Sequence, residues 1–329
     1  MGDTEVPSLA GSYRPWFTVG AAVSEETVRT HREVLEEHFQ SVTCENQMKW
    51  GPVHPAEQEW NFAPADAIVD FATAHGMKVR GHTLVWHNQV AEWTFRDGDG
   101  EADAGLVRAR LEHHIATIMG RYRGRVYAWD VVNEAVPDQD DAGLLRPSPW
   151  LRALGPDYLA VAFRLAHQAA PDAELYYNDY NEWHPGKRGR IVRLVQDLLD
   201  AGAPVHGVGL QGHWDLETPT LDELRETLAA YAALGVRLQV TELDVSLYRD
   251  RGEARLADDE RLRRLDRQAE RFDQIFRVFK EYAAHLDGVT FWGVADDRTW
   301  KSNFPVRGRQ DWPLAFDENH RPKHIFWGP

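Results

Sequence analysis

Two stretches place an ionisable group at the end of an apolar run. Tyr127–Ala135 reads YAWDVVNEA: five of its first six residues are apolar or aromatic, and it then delivers Asn133 and Glu134 side by side. Leu238–Asp244 reads LQVTELD and ends on Glu242 and Asp244. A core has no use for these carboxylates, and a loop has no need of the apolar run before them. Two carboxylates that face each other cannot both ionise comfortably. One is pushed to a higher pKa and becomes a proton donor, while the other stays anionic. An acid for a leaving oxygen opposite a nucleophile or base is the equipment for cleaving a glycosidic bond. Structural ion pairs are the competing explanation of either glutamate alone. The chemistry requires a fold that brings the two ends together.

The elements that could do so are regularly spaced. Strand candidates are FTVGAA near Phe17, SVTC near Val42, KVRGHTLVW from Lys78, RVYAWDVV from Arg125, ELYYND from Glu174, GVGLQ from Gly207, LQVTEL from Leu238 and GVTFWG from Gly288. Helical three- and four-residue apolar spacing fills the gaps, as in SEETVRTHREVLEEHF from Ser24 and DRQAERFDQIFRVFKEYAAH from Asp266. Gly76, Gly202 and Gly235 stand just past periodic stretches, as helix stops do. Strands alternating with helices mean parallel strands joined by crossovers. Eight units in 329 residues predict an α/β fold, a (β/α)8 TIM barrel in a single domain. The structural alternative is an open doubly wound sheet. Residues 1–15 are expected as an N-terminal extension and 16–329 as the catalytic domain.

In such a barrel the chemistry collects at the C-terminal ends of the strands. The second strand ends on Glu45, Asn46 and Lys49, and the third on His82, Trp86, His87 and Gln89. The fourth supplies Asn133 and Glu134, the fifth Asn178 and Tyr180, and the sixth Gln211 and His213. The seventh carries Glu242 and Asp244, and the eighth Trp292, with Trp300 in the loop beyond. The fourth and seventh strands face each other across the rim, so Glu134 and Glu242 become the pair. Amide side chains donate and accept together, which suits sugar hydroxyls, and tryptophan rings offer flat faces for pyranose C–H groups. His213 and Asp244 could form a chain that holds Glu242 anionic.

Two other patterns in the sequence compete with this reading. GVGLQG, Gly207–Gly212, matches a dinucleotide-binding pattern, but its apolar strand residues lie inside the motif and HWDLETP follows. The glycines are expected to permit close strand packing instead. His82, His87 and His213 could ligate zinc, but their neighbours are amides and tryptophans, so no metal and no cofactor are expected.

The formal charge of −15 lacks the basic stripe that nucleic acid requires and disfavours anionic membranes. A neutral sugar substrate is compatible with it. The one cysteine, Cys44, reads as a small buried hydrophobe. The first residues show no basic and apolar leader pattern, so the expected location is cytoplasmic, or secreted if a leader was removed.

GHTLVWH, WDVVNEA, YNDYN, TELD and FWG, in this order, resemble glycoside hydrolase family 10, the endo-β-1,4-xylanases. The resemblance runs from about Trp16 to Trp327 and is nearest the intracellular branch. It implies that Glu134 is the general acid/base and Glu242 the nucleophile of a retaining reaction through a covalent glycosyl-enzyme. Retaining pairs stand about 5–5.5 Å apart. It implies that Asn133 meets the sugar 2-hydroxyl, and that His82, Trp86, Gln211 and His213 line the cleavage subsite. Glu45, Asn46, Lys49 and Gln89 match the next subsite, Trp292 and Trp300 a roof, and Tyr180 a platform on the leaving-group side. Xylan fragments and xylo-oligosaccharides are the implied partners. A β-1,4-glucanase or cellobiosidase on the same site is the alternative, and a non-catalytic carbohydrate-binding barrel a more remote one.

Overall fold

Strands that are apolar on both faces need cover on both, and parallel order with crossover helices supplies it. The computed structural model describes residues 7–139 and 143–324 and has this order. Its strands are β1 (Thr18–Val23), β2 (Ser41–Cys44), β3 (Lys78–Val85), β4 (Val126–Asn133), β5 (Glu174–Asp179), β6 (Gly207–Leu210), β7 (Arg237–Ser246) and β8 (Leu286–Phe291). Each runs parallel to the next. β8 also pairs with β1. That last pairing closes the sheet into a (β/α)8 barrel and removes the open-sheet alternative.

The covering helices bury one stripe each. In Ala63–Ala74 the buried positions are Ala65, Ile68, Val69 and Ala72, the spacing of one helical face. Leu221–Ala232 starts on a capping box between Thr220 and Glu223 and is followed by Gly235 at φ 75°, a backbone conformation that glycine adopts without cost. Near the N-terminus, Leu9–Tyr13 is a short helix with Leu9 and Ala10 buried. Tyr13 stacks on Phe17 and touches Phe276. Trp327, the far limit of the family resemblance, lies outside the described residues. Among those residues no helix is long and apolar enough to cross a membrane. Cys44 is fully buried, and burial pushes its thiol pKa up.

The barrel interior is not the usual stack of branched aliphatic side chains. Arg80 and Asp130, from neighbouring β3 and β4, form a buried two-pronged ion pair. Arg80 Nε also donates to Gln239 Oε1 at 2.9 Å, and Gln239 Nε2 donates to the Tyr176 hydroxyl at 3.0 Å. Asp130 Oδ2, which also accepts from Arg80 Nη1, meets His82 Nδ1 at 2.8 Å. This polar column rises through the barrel to the rim.

Bulky inward groups need room across the ladder. Tyr176 and Asn178 of β5 are registered against Gly207 and Gly209 of β6. A Cβ at Gly207 would lie 2.1 Å from the Tyr176 ring, and one at Gly209 would lie 2.3 Å from Asn178 Oδ1. The glycines of GVGLQG therefore serve strand packing, as the sequence suggests.

Removing one partner of the column strands a buried charge. Asp130→Ala should lower stability by about 3–5 kcal/mol in equilibrium urea unfolding. Adding Arg80→Met should recover part of that loss, because no charge is then left unpaired.

Candidate active site

The turn at the end of β4 decides where the first carboxylate points. Successive strand residues alternate faces, yet Asn133 and Glu134 both enter the barrel mouth. Glu134 achieves this at φ 57°, a conformation costly for a residue with a Cβ and typical of functional sites. Two contacts hold it there. Its N–H donates to the Asn178 carbonyl at 2.8 Å, and its carbonyl accepts from Arg146 Nε at 2.9 Å. Arg146 also donates to the Val136 carbonyl and to the Tyr180 hydroxyl.

Glu134 is buried and each of its oxygens is addressed. Trp86 Nε1 donates to Oε2 at 2.8 Å. Gln211 Nε2 donates to Oε1 at 2.9 Å, and Asn133 Nδ2 to the same atom at 3.3 Å. Glu242, on β7, accepts from Asn178 Nδ2 at 2.8 Å and meets His213 Nε2 at 3.1 Å. Asn133 Oδ1 joins the two halves, accepting from Asn178 at 2.9 Å and from Gln211 at 3.2 Å. Reversing the Asn133 amide would set its NH2 against those two NH2 groups, so the network selects the orientation described. One unbroken set of amides thus spans from one carboxylate to the other.

The two carboxyls differ electrostatically. Burial raises the Glu134 pKa above the usual carboxylate range, with the Asp179 and Glu242 charges adding to it and the Gln211 and Trp86 donors opposing. The direction is the one expected from the sequence, but desolvation is the main cause and the facing anion a minor one. Burial also acts upward on Glu242, yet the His213 hydrogen bond and the His82 and His213 charges carry it below the ordinary value. His213 is clasped between two acids, with Nδ1 2.9 Å from Asp244 Oδ2. Burial alone would lower its pKa; the Asp244 and Glu242 partners raise it to about 9. Asp244 is fully buried and takes further support from Trp300 Nε1 at 2.8 Å and Lys301 Nζ at 3.5 Å. The chain Asp244–His213–Glu242 is present, and it favours the Glu242 anion.

The remaining rim residues fall into two groups. Lys49 donates to Asn46 Oδ1 at 3.0 Å, which also accepts from Gln89 at 3.3 Å. Lys49 lies over the Trp86 and Trp292 rings at 5.0 and 5.9 Å. Burial raises the pKa of neighbouring Glu45, against the pull of Lys49. These residues form one polar wall beside Glu242. His82 stands edge-on to Trp292, with centroids 5.2 Å apart. His87 lines a small cavity with Glu134, Arg146 and Tyr158, and burial followed by the Arg146 and Lys187 charges lowers its pKa to about 4. Tyr180 is partly exposed, with Lys187 Nζ 3.7 Å over its ring and its hydroxyl donating to Asp138. Asn178 sits differently from its expected place against substrate. It is fully buried and orients Glu242 and Asn133 from beneath. Of the three histidines that could ligate zinc, His82 is committed to Asp130 and His213 to the two acids.

Several positioning residues were not singled out in the sequence: Arg80, Asp130, Arg146 and Thr241, whose hydroxyl donates to Asn178 Oδ1 at 2.6 Å. A charge within an apolar β-run was the available signal for Arg80 and Asp130. Arg146 lies in an aperiodic loop and had none.

A buried acid with a raised pKa, opposite a carboxylate that a histidine cation holds low, can deliver a proton and a nucleophile to one acetal. The model of glycosyl hydrolase family 10 matches residues 8–328. The chain belongs to this family. It is a glycoside hydrolase. It is 50% identical to endo-1,4-beta-xylanase B of Paenibacillus barcinonensis over 325 residues, 98% of each chain. It is 48% identical to a beta-1,4-xylanase of Dictyoglomus thermophilum, over 98% of this chain and 90% of that one. The crystal structure of xylanase XynB from P. barcinonensis, complexed with a conduramine derivative, superposes with a TM-score of 0.96 over 99% of this chain and 98% of that one, at 50% identity.

Two pH effects follow for this family member. His213→Asn removes the cation that depresses Glu242, so the acid limb of kcat/KM should move to higher pH. Because the folded pKa of His213 is raised, its contribution to stability is complete below about pH 6.5 and is lost as pH rises through about 9. Thermal unfolding across that window should show Tm falling in the parent protein and a flatter profile in His213→Asn.

Proposed function

We propose that this protein is a retaining endo-β-1,4-xylanase that cleaves internal bonds of xylan fragments and xylo-oligosaccharides. The observation that carries the reading is the opposed pair: Glu134 raised by burial, and Glu242 held anionic by His213. The relatives named as xylanases, similar along nearly the whole chain, support the substrate class.

In the first step Glu242 attacks the anomeric carbon while Glu134 gives its proton to the departing oxygen. A glycosyl-enzyme ester forms and the aglycone leaves as an alcohol. Glycosylation makes Glu242 neutral and removes its charge from the environment of Glu134. In the second step Glu134, now a carboxylate, takes a proton from water as that water attacks the same carbon. The ester breaks and Glu242 returns as an anion. Two inversions restore the starting configuration. Asn133, held by Asn178 and Gln211, is set to meet the 2-hydroxyl. Glu45, Asn46, Lys49 and Gln89 receive the next sugar.

The roof is where xylan and glucan would be told apart. Trp300 is tethered through Nε1 to Asp244, and Trp292 is buried against His82. A hydroxymethyl on C5 would have to fit beside these two rings.

Hydrolysis of xylotetraose followed by proton NMR tests the proposal. The β-anomer should appear first, and Glu242→Ala should be inactive. First appearance of the α-anomer would rule out retention. Glu134→Ala should lose about 10²–10⁴-fold on xylotetraose and far less on an aryl xylobioside whose leaving group needs no proton. Intact xylotetraose alongside cleaved cello-oligosaccharides would transfer the assignment to glucan.

A further inference from the structure

A second constellation lies away from the carboxylate pair, where three segments meet. His31 ends the helix Thr27–Thr30 that follows β1, Asp297 stands in the loop after β8, and His320 belongs to the C-terminal segment. Each offers one ligand atom, and the three atoms lie within 4.8 Å of one another. His31 Nε2 is 2.9 Å from Asp297 Oδ1, and His320 Nε2 is 3.6 Å from Asp297 Oδ2. The imidazoles overlap, with centroids 3.9 Å apart. Among the described residues no other group of three His, Cys, Asp or Glu converges this way.

The donor set is specific. His31 is buried, while Asp297 and His320 are about 30% exposed, so the cluster opens to solvent on one side. Thr30 Oγ1 lies 3.1 Å from the Glu26 carbonyl and 2.8 Å from His31 Nδ1. When that hydroxyl donates to the carbonyl, Nδ1 carries the imidazole proton and Nε2 presents its lone pair to Asp297. This is how a ligating histidine is oriented through its other nitrogen. A lone pair and a carboxylate at 2.9 Å repel unless a cation or proton lies between them. Arg298, the nearest competing cation, is drawn off by two 2.7 Å bonds to Glu26, and its Nε stays 3.9 Å from Asp297. Two imidazoles and one carboxylate, with a water completing four-coordination, are a zinc donor set.

We infer that His31, Asp297 and His320 form a zinc-binding site that ties the segment after β1 and the C-terminal segment to the β8 loop. The loop so fastened carries Trp300, which roofs the proposed sugar site. The site supplies no group to hydrolysis, and its failure would leave the xylanase reading untouched.

The test uses the full chain stripped with chelator and dialysed metal-free. Zinc chloride alone is titrated calorimetrically, and thermal unfolding is followed with and without it. One zinc per chain, a raised Tm, and at least tenfold weaker binding in His320→Ala are expected. His320 is partly exposed, so this variant should fold, and its xylotetraose hydrolysis at room temperature should match the parent. Asp297→Asn should weaken binding likewise, and His324→Ala, a surface histidine outside the cluster, should not. Cobalt(II) in place of zinc should give the strong visible absorption of four-coordinate geometry, lost in His320→Ala. Absence of saturable zinc binding, or binding unchanged in both His320→Ala and Asp297→Asn, would overturn the assignment.

Discussion

Everything at the barrel mouth depends on holding two buried carboxyls apart in pKa, with Glu134 raised and Glu242 lowered. Burial alone pushes both glutamates toward the neutral form. Neutral donors oppose the rise at Glu134, but only Glu242 has a cation in contact as its counterweight. A histidine cation touches it, and that cation persists because Asp244 grips the far side of the ring. The asymmetry between two like side chains is therefore one imidazolium, and a fully buried aspartate is what keeps it charged.

That arrangement makes demands on the fold beneath. An imidazolium between two acids must be held in register, and β7 does this by carrying Glu242 and Asp244 two residues apart on one face. The short strand His213–Asp215 pairs with that end of β7, placing His213 opposite Asp244. The amide set from Asn178 through Asn133 to Gln211 needs space inside the barrel, which the glycines of β6 provide. Lower down, the Arg80–Asp130 pair replaces apolar filling and positions His82 within 4.0 Å of Glu242. The interior is thus a continuous polar structure from mid-barrel to rim. Such networks are worth having only when nearly every member is satisfied, which explains why so many side chains below the site are committed to one partner geometry.

The acid side is organised differently. Glu134 has no cation in direct contact with its carboxyl, and its distinguishing feature is backbone. Its positive φ, fixed by the Asn178 carbonyl and by Arg146, turns the carboxyl into the mouth beside Asn133 rather than to the opposite face. Strain at one residue is traded for convergence of two side chains that a regular strand would separate.

The amino-acid sequence by itself determined the eightfold alternation, the strand ends whose polar groups meet at the barrel mouth, and the pairing of Glu134 with Glu242. These are local or periodic properties: apolar runs, helical spacing, and polar residues where a run stops. It also determined the role of the glycines in GVGLQG, since no helix opens within that motif. Tertiary structure decided what each group does there. Asn178 lies beneath the carboxylate pair because β5 and β6 pack closely at Gly209, a relation between strands about thirty residues apart. Desolvation outweighs the facing anion at Glu134 because the depth of a site depends on every loop around it. Arg146 acquires its role only when a loop without periodicity folds back over β4. The His31, Asp297 and His320 cluster joins residues separated by almost the full chain, and no spacing in the sequence announces a contact that barrel closure alone creates.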